Sequence, residues 1–159
     1  MKFRRLGRTG VQVSEIGLGT WKTFDVRGAA RDAHCTRIAG EVIRLGGNFF
    51  DTAPGYGEGR SEEVLGTALI EKRHSSIIGT KVPPSDLSPK NIRKACEDSL
   101  KRLKTDYIDL YQLHWPERNV NNFGKLGYEH KENNWNQFED VLGELKKYID
   151  IGKIRYVGL

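Results

Sequence analysis

The sequence predicts an α/β chain in which buried parallel strands alternate with amphipathic helices, and three observations carry that reading. Short apolar stretches bounded by glycine or a polar residue recur along the chain. Their spacing is about thirty residues, the length of one βα unit. Between them lie segments whose apolar residues follow a helical period instead of the two-residue period of a strand.

Taken in order, Phe3–Val13 predicts an N-terminal hairpin turned at Arg8–Gly10. The strands follow at Glu15–Thr20, Gly47–Asp51, Ser76–Val82, Tyr107–His114 and Ile154–Leu159. The first helix is expected over Arg31–Leu45, stopped by Gly46–Gly47. In the second, Ser61 is the expected N-cap, Glu62 and Glu63 suit a helix N-terminus, and Val64, Leu65, Ala68 and Leu69 form the buried stripe. The third starts with Ser88 as N-cap and Pro89 at its first position, and places Ile92, Ala95, Cys96, Leu100 and Leu103 on one face. The fourth spans Asn136–Ile151 and ends at Gly152. Residues 116–135 are polar, Asn-rich and without periodicity, which predicts a long loop.

No linker or second domain interrupts residues 1–159. Alternating βα units permit either a barrel or an open doubly wound sheet, and five strands in 159 residues would suit a flavodoxin-like fold on pattern alone. Against the open sheet stands the ending, inside a strand with no fifth helix to cover it.

A composition of 37% hydrophobic and 30% charged residues suits a soluble domain with a sizeable core. The apolar runs are short, and the basic start MKFRRLGRTG is followed by no hydrophobic region. Neither a membrane span nor a secretory signal is expected, which makes the cytoplasm the expected location. Cys35 and Cys96 lie far apart with no CxxC or Cys/His cluster, so reduced thiols buried on helices are expected. The net charge of +5 arises from Lys and Arg interleaved with Asp and Glu, as in NIRKACEDSLKRLKTD, which describes solvated helix faces and not a nucleic-acid surface.

GLGTWK at 17–22 lacks the third glycine of a dinucleotide fingerprint, and the chain holds no GxxxxGK[ST] loop, HExxH or GxSxG. No Tyr is followed four residues later by Lys, which removes the short-chain dehydrogenase spacing. What remains is a set of polar residues at successive strand ends: Asp51, Lys81 and His114, with Tyr56 in the loop beyond Asp51. In a parallel barrel these ends converge on the face where catalytic groups sit. Singly, each has an ordinary structural role as a turn cap, a solvent-directed lysine, a packed loop tyrosine or a core histidine. Jointly they make a proton-transfer site. A phenol titrates near about 10, and an ammonium held beside it by a carboxylate favours phenolate and makes Tyr56 a better proton donor.

DTAPGYGEGRSEEVLGTAL at 51–69 resembles the signature of the aldo-keto reductase family around its catalytic Asp and Tyr. GLGTW at 17–21, GTKV at 79–82 and LYQLHWP at 110–116, the last within DSLKRLKTDYIDLYQLHWP, resemble its first, third and fourth strand motifs in the family's order. NNFGKLGY at 121–128 is most similar to the Tas-like subgroup. The departure at Pro54–Gly55 falls where the family motif varies and leaves the spacing intact.

The resemblance implies a (β/α)8 TIM barrel that uses NADPH, or less often NADH, to reduce a small carbonyl substrate. It assigns Tyr56 as general acid, Lys81 and Asp51 as the pair that tunes it, and His114 as the group that orients the carbonyl. It sets Gly19, Thr20, Trp21 and Asp51 near the nicotinamide. No metal is implied, and Asp51 with His114 lacks a third ligand at a recognised spacing. His34, His74 and His130 sit among polar residues and are expected to be solvated. GKIRYVGL resembles the family's fifth strand, just before its Ser-Asn nicotinamide contact, so residues 1–159 correspond to an incomplete barrel domain. Such a fragment is expected to be inactive alone and open to self-association. Two other functions compete: a non-catalytic regulatory subunit of the same fold, as in potassium-channel β-subunits, and a flavodoxin-like binding module.

Overall fold

A computed structural model describes residues 1–117 and 135–159. The predicted loop at 116–135 lies almost wholly outside the described residues, as do His130 and the segment 121–128. The chain opens with a hairpin of β1 (Phe3–Arg5) and β2 (Gln12–Ser14), paired antiparallel with Phe3 opposite Ser14. Its turn is closed by the Leu6 N–H on the Val11 carbonyl at 2.8 Å, with Gly7 and Gly10 both at positive φ.

Among the described residues, five βα-type strands and four α-helices follow: β3 (Leu18–Gly19), α1 (Ala29–Arg44), β4 (Phe49–Asp51), α2 (Arg60–Leu69), β5 (Ile77–Val82), α3 (Pro89–Leu103), β6 (Ile108–Leu113), α4 (Phe138–Asp150) and β7 (Ile154–Gly158). The sheet runs β3-β4-β5-β6-β7, with every neighbouring pair parallel. This order decides between the two architectures left open by the sequence. A flavodoxin-like sheet reverses its winding at an internal switch point, whereas a barrel adds each strand beside its predecessor. The flavodoxin-like alternative is therefore overturned.

The predicted stripes are the ones that pack. Phe50, Ile78 and Tyr111 on the sheet meet Leu65 and Leu69 of α2, Ile92 and Leu103 of α3, and Leu145 of α4 in one buried cluster. The α2–α3 contact is close enough that a Cβ on Gly66 would lie 2.5 Å from the Leu103 backbone. In α3 the Ser88 hydroxyl accepts from the Asn91 N–H at 3.4 Å, with Pro89 beginning the helix. Burial pushes the Cys96 thiol up to about 12, and Cys35 and Cys96 are both free and buried. Neither is a reactive thiolate near neutrality.

Two expectations require correction. Ser61 does not cap α2: the helix begins at Arg60 after Gly59, whose φ of 90° leads the chain in, and the Ser61 hydroxyl instead donates to the Thr20 carbonyl at 3.3 Å. The first sheet strand is Leu18–Gly19 and not Glu15–Thr20, because the Glu15 N–H is taken by the Lys2 carbonyl of the hairpin. Smaller differences are the earlier start of α1 at Ala29, behind Gly28 at φ 105°, and the narrower α4. Among the described residues, no helix is long and apolar enough to cross a membrane.

Candidate active site

Parallel register brings the C-terminal ends of four strands to one rim. Gly19 pairs with Asp51 and Asp51 with Gly79, Lys81 lies two residues further along β5, and the His114 N–H continues the ladder to the Val82 carbonyl at 2.9 Å. Alternation along a strand then puts Asp51 and Lys81 on the same face.

There the Lys81 ammonium donates to both Asp51 oxygens at 2.8 and 2.9 Å, to the Thr52 carbonyl at 2.8 Å and to the Tyr56 hydroxyl oxygen at 3.3 Å. Three N–H bonds thus serve a carboxylate, a carbonyl and a phenol. The lysine side chain is only 12% exposed while Asp51 remains 35% exposed, so the charge is buried with its partner and the pair still reaches solvent.

Tyr56 stands on a turn held from both sides. Its N–H donates to the Ala53 carbonyl at 3.1 Å, and its own carbonyl accepts from the Ser61 N–H at 3.3 Å. At Gly57, φ is 58° and a Cβ would come within 2.4 Å of the Asp25 Cβ, so only glycine lets the preceding loop lie against this turn. The Tyr56 ring is 6.2 Å from that of His114, edge to face, and 6.3 Å from that of Trp21. Trp115 sits 5.5 Å from His114.

Burial holds the His114 imidazole below its ordinary value; the Lys81 ammonium adds to this and the Asp51 carboxylate opposes it. The imidazole is accordingly neutral near pH 7. The sign for stability follows from linkage. Below about pH 6.5 an unfolded histidine takes up a proton that the folded site resists, so stability falls as pH drops from there and levels off below the lowered folded value. Melting temperatures between pH 7.5 and pH 5 (roughly the window set by an unperturbed histidine) should fall less for His114→Gln than for the parent. Equal slopes would contradict a depressed His114.

Gly19, Thr20 and Trp21 form a ledge beside Asp51. The Thr20 N–H donates to the Asp51 carbonyl at 3.0 Å, Trp21 is 61% exposed, and a Cβ on Gly19 would meet nothing within 4 Å. The Thr20 and Thr52 hydroxyl oxygens are buried without a hydrogen-bond partner among the described residues. An open glycine, an exposed indole and a buried unpaired hydroxyl suit a flat ring carrying hydrogen-bonding groups.

The structure thus gathers all the sequence-selected residues at one rim. The sequence reading missed the Thr52 carbonyl, a backbone atom that no residue type advertises. It also missed the pairing of Glu62 with Thr80 and Arg102 behind the sheet.

Sequential parallel strands with a carboxylate–lysine–tyrosine cluster at their C-terminal rim define a βα-barrel chain with a candidate site at that rim. The family model described as "Aldo/keto reductase family" matches residues 15–159, and the chain belongs to that family. It is 38% identical over 186 residues to Protein tas of Escherichia coli (strain K12), covering 100% of this chain and 51% of that protein. Among solved structures, the thermostable aldo-keto reductase Tm1743 superposes with a TM-score of 0.81 at 32% identity, covering 99% of this chain and 53% of the other. The aldo-keto reductase of Klebsiella pneumoniae in complex with NADPH gives 0.77 at 31% identity, covering 94% and 46%. The chain spans about half the length of the curated relatives it matches.

Proposed function

We propose that these residues furnish the catalytic rim of an NADPH-dependent reductase that converts aldehydes or ketones to alcohols. The observation that carries this is the single ammonium of Lys81 shared between Asp51 and the Tyr56 hydroxyl. The NADPH-bound Klebsiella neighbour supports the choice of cofactor, and the ledge of Gly19, Thr20 and Trp21 beside Asp51 has the open face to hold its nicotinamide. When bound, that group supplies a hydride to the carbonyl carbon.

The chain's own residues handle the oxygen. Because the Tyr56 oxygen accepts from Lys81, its own proton is directed away from the lysine. It passes to the carbonyl oxygen as negative charge develops there, and the ammonium stabilises the phenolate left behind. Asp51 fixes the ammonium in place. His114, uncharged near pH 7, donates an N–H to the same oxygen and sets its orientation without competing as an acid.

Aldehyde-dependent oxidation of NADPH by an eight-stranded barrel containing these residues tests the proposal. Lys81→Met should lower turnover about a hundredfold or more by removing the donor that holds the phenolate. A protein of this fold serving only as a regulatory subunit would oxidise no NADPH, and the Lys81 variant would then match its parent.

Among the described residues, β3 and β7 are each paired on one side only. Unpaired edges invite association. The 159-residue polypeptide by itself is expected to self-associate, and to reduce no aldehyde at micromolar NADPH; light scattering and an NADPH fluorescence titration check both.

A further inference from the structure

The first turn of α2 is tied to other parts of the fold by three consecutive residues. Arg60 donates to the Val26 carbonyl at 2.8 Å and pairs with Asp32 at 2.6 Å, and the Ser61 hydroxyl donates to Thr20. Glu62 reaches across to β5. Its Oε1 accepts from the Thr80 hydroxyl at 2.6 Å and its Oε2 from the Arg102 Nε at 2.6 Å, while Arg102 also donates to the Ser99 hydroxyl at 3.2 Å. The Glu62 side chain is fully buried, where a carboxylate is costly unless paired.

Thr80 and Lys81 are neighbours on β5 and face opposite sides of the sheet. The Glu62–Thr80 bond therefore closes a ring. From Tyr56 the chain runs through Gly57–Ser61 to Glu62, crosses by a hydrogen bond to Thr80, continues to Lys81, and returns by the 3.3 Å contact to the Tyr56 hydroxyl. A slip of β5 against the start of α2 would open that last contact, the longest of the four made by Lys81.

We propose that Glu62, acting through Thr80, is a positioning residue that sets the separation between the Lys81 ammonium and the Tyr56 hydroxyl. This rests on the reading of Tyr56 as proton donor. Arg102 neutralises the buried carboxylate and anchors it to α3 without touching the site.

The test compares Thr80→Val, which removes the hydroxyl donor at nearly constant volume, with Thr80→Ser, which keeps it, in a complete barrel containing this chain. A misplaced ammonium affects the chemical step more than ligand binding. Thr80→Val should lower kcat about tenfold to a hundredfold, with KM for the carbonyl and Kd for NADPH within about twofold of the parent. Thr80→Ser should restore kcat. Glu62→Gln, which keeps an acceptor for Thr80 but loses the charge pairing with Arg102, should fall between them, and it carries the test if Thr80→Val does not accumulate as folded protein. A parental kcat in Thr80→Val or Glu62→Gln, with only the melting temperature lowered, would overturn the proposal by showing a purely structural bond. Tyr56→Phe measured alongside separates the two ideas. If it alone loses turnover, positioning fails and the proton-donor reading stands; if it keeps turnover, both fail.

Discussion

Tyr56→Phe should lower carbonyl turnover by about two to four orders of magnitude while leaving NADPH binding intact. The substitution deletes one oxygen and keeps the ring that packs 6.2 Å from His114 and 6.3 Å from Trp21. Lys81 loses its longest contact, at 3.3 Å, and keeps the Asp51 carboxylate and Thr52 carbonyl at 2.8 to 2.9 Å. The ammonium therefore stays where it was, and the lost activity reports the missing proton. Steady-state kinetics together with an NADPH titration check this. Turnover within about tenfold of the parent would assign the proton to another group, since general acid catalysis supplies at least about a hundredfold.

The elements legible in the sequence were those whose local chemistry agreed with their packing. Helix α3 has a serine cap, a proline start and an unbroken apolar stripe, and it forms where those signals place it. The strand ends bearing Asp51 and Lys81 could be located because a charged residue closing an apolar run is conspicuous, and its partner closes the next run. Helix α2 shows the opposite. Ser61 has the residue type of a cap, but tertiary contacts override it: Gly59 adopts a positive φ against Arg102, and Ser61 is drawn inward to Thr20. Periodicity could not choose between barrel and open sheet, because both use the same βα unit. Strand order is a long-range property, and the resemblance supplied it before the register of β3 to β7 displayed it. The buried pairing of Glu62, visible in the sequence only as a helix-start charge, escaped notice for a related reason. A helix-start glutamate looks solvated until its partners Thr80 and Arg102, 18 and 40 residues away, are placed beside it.

Asp109→Ala should cost the folded protein about 3 to 5 kcal/mol, the range for leaving a buried ion pair without one partner. Asp109 is 2% exposed and accepts from Arg73 at 2.7 Å, from Arg155 at 2.9 Å and from the Ile78 N–H at 3.0 Å. Both guanidinium groups also lie over the Tyr107 ring, at 3.9 and 4.0 Å from its centre. One carboxylate thus pairs with two cations gathered around one ring and satisfies a strand N–H. Arg73 precedes β5, Tyr107 precedes β6 and Arg155 lies near the start of β7, so the cluster ties three strands together at the end opposite the rim. In barrels that end serves stability, not chemistry. Removing the carboxylate strands two positive charges and one backbone donor. Arg73→Ala should cost less than Asp109→Ala because Asp109 retains Arg155, and Arg155→Ala least of all, since that side chain is 50% exposed and its pairing is screened by solvent. Urea unfolding midpoints for the three variants should fall in that order, with the kcat of the folded fraction unchanged. A loss below about 1 kcal/mol for Asp109→Ala, the ordinary value for an exposed pair, would show that water reaches the carboxylate and that the cluster does not hold β5, β6 and β7 together.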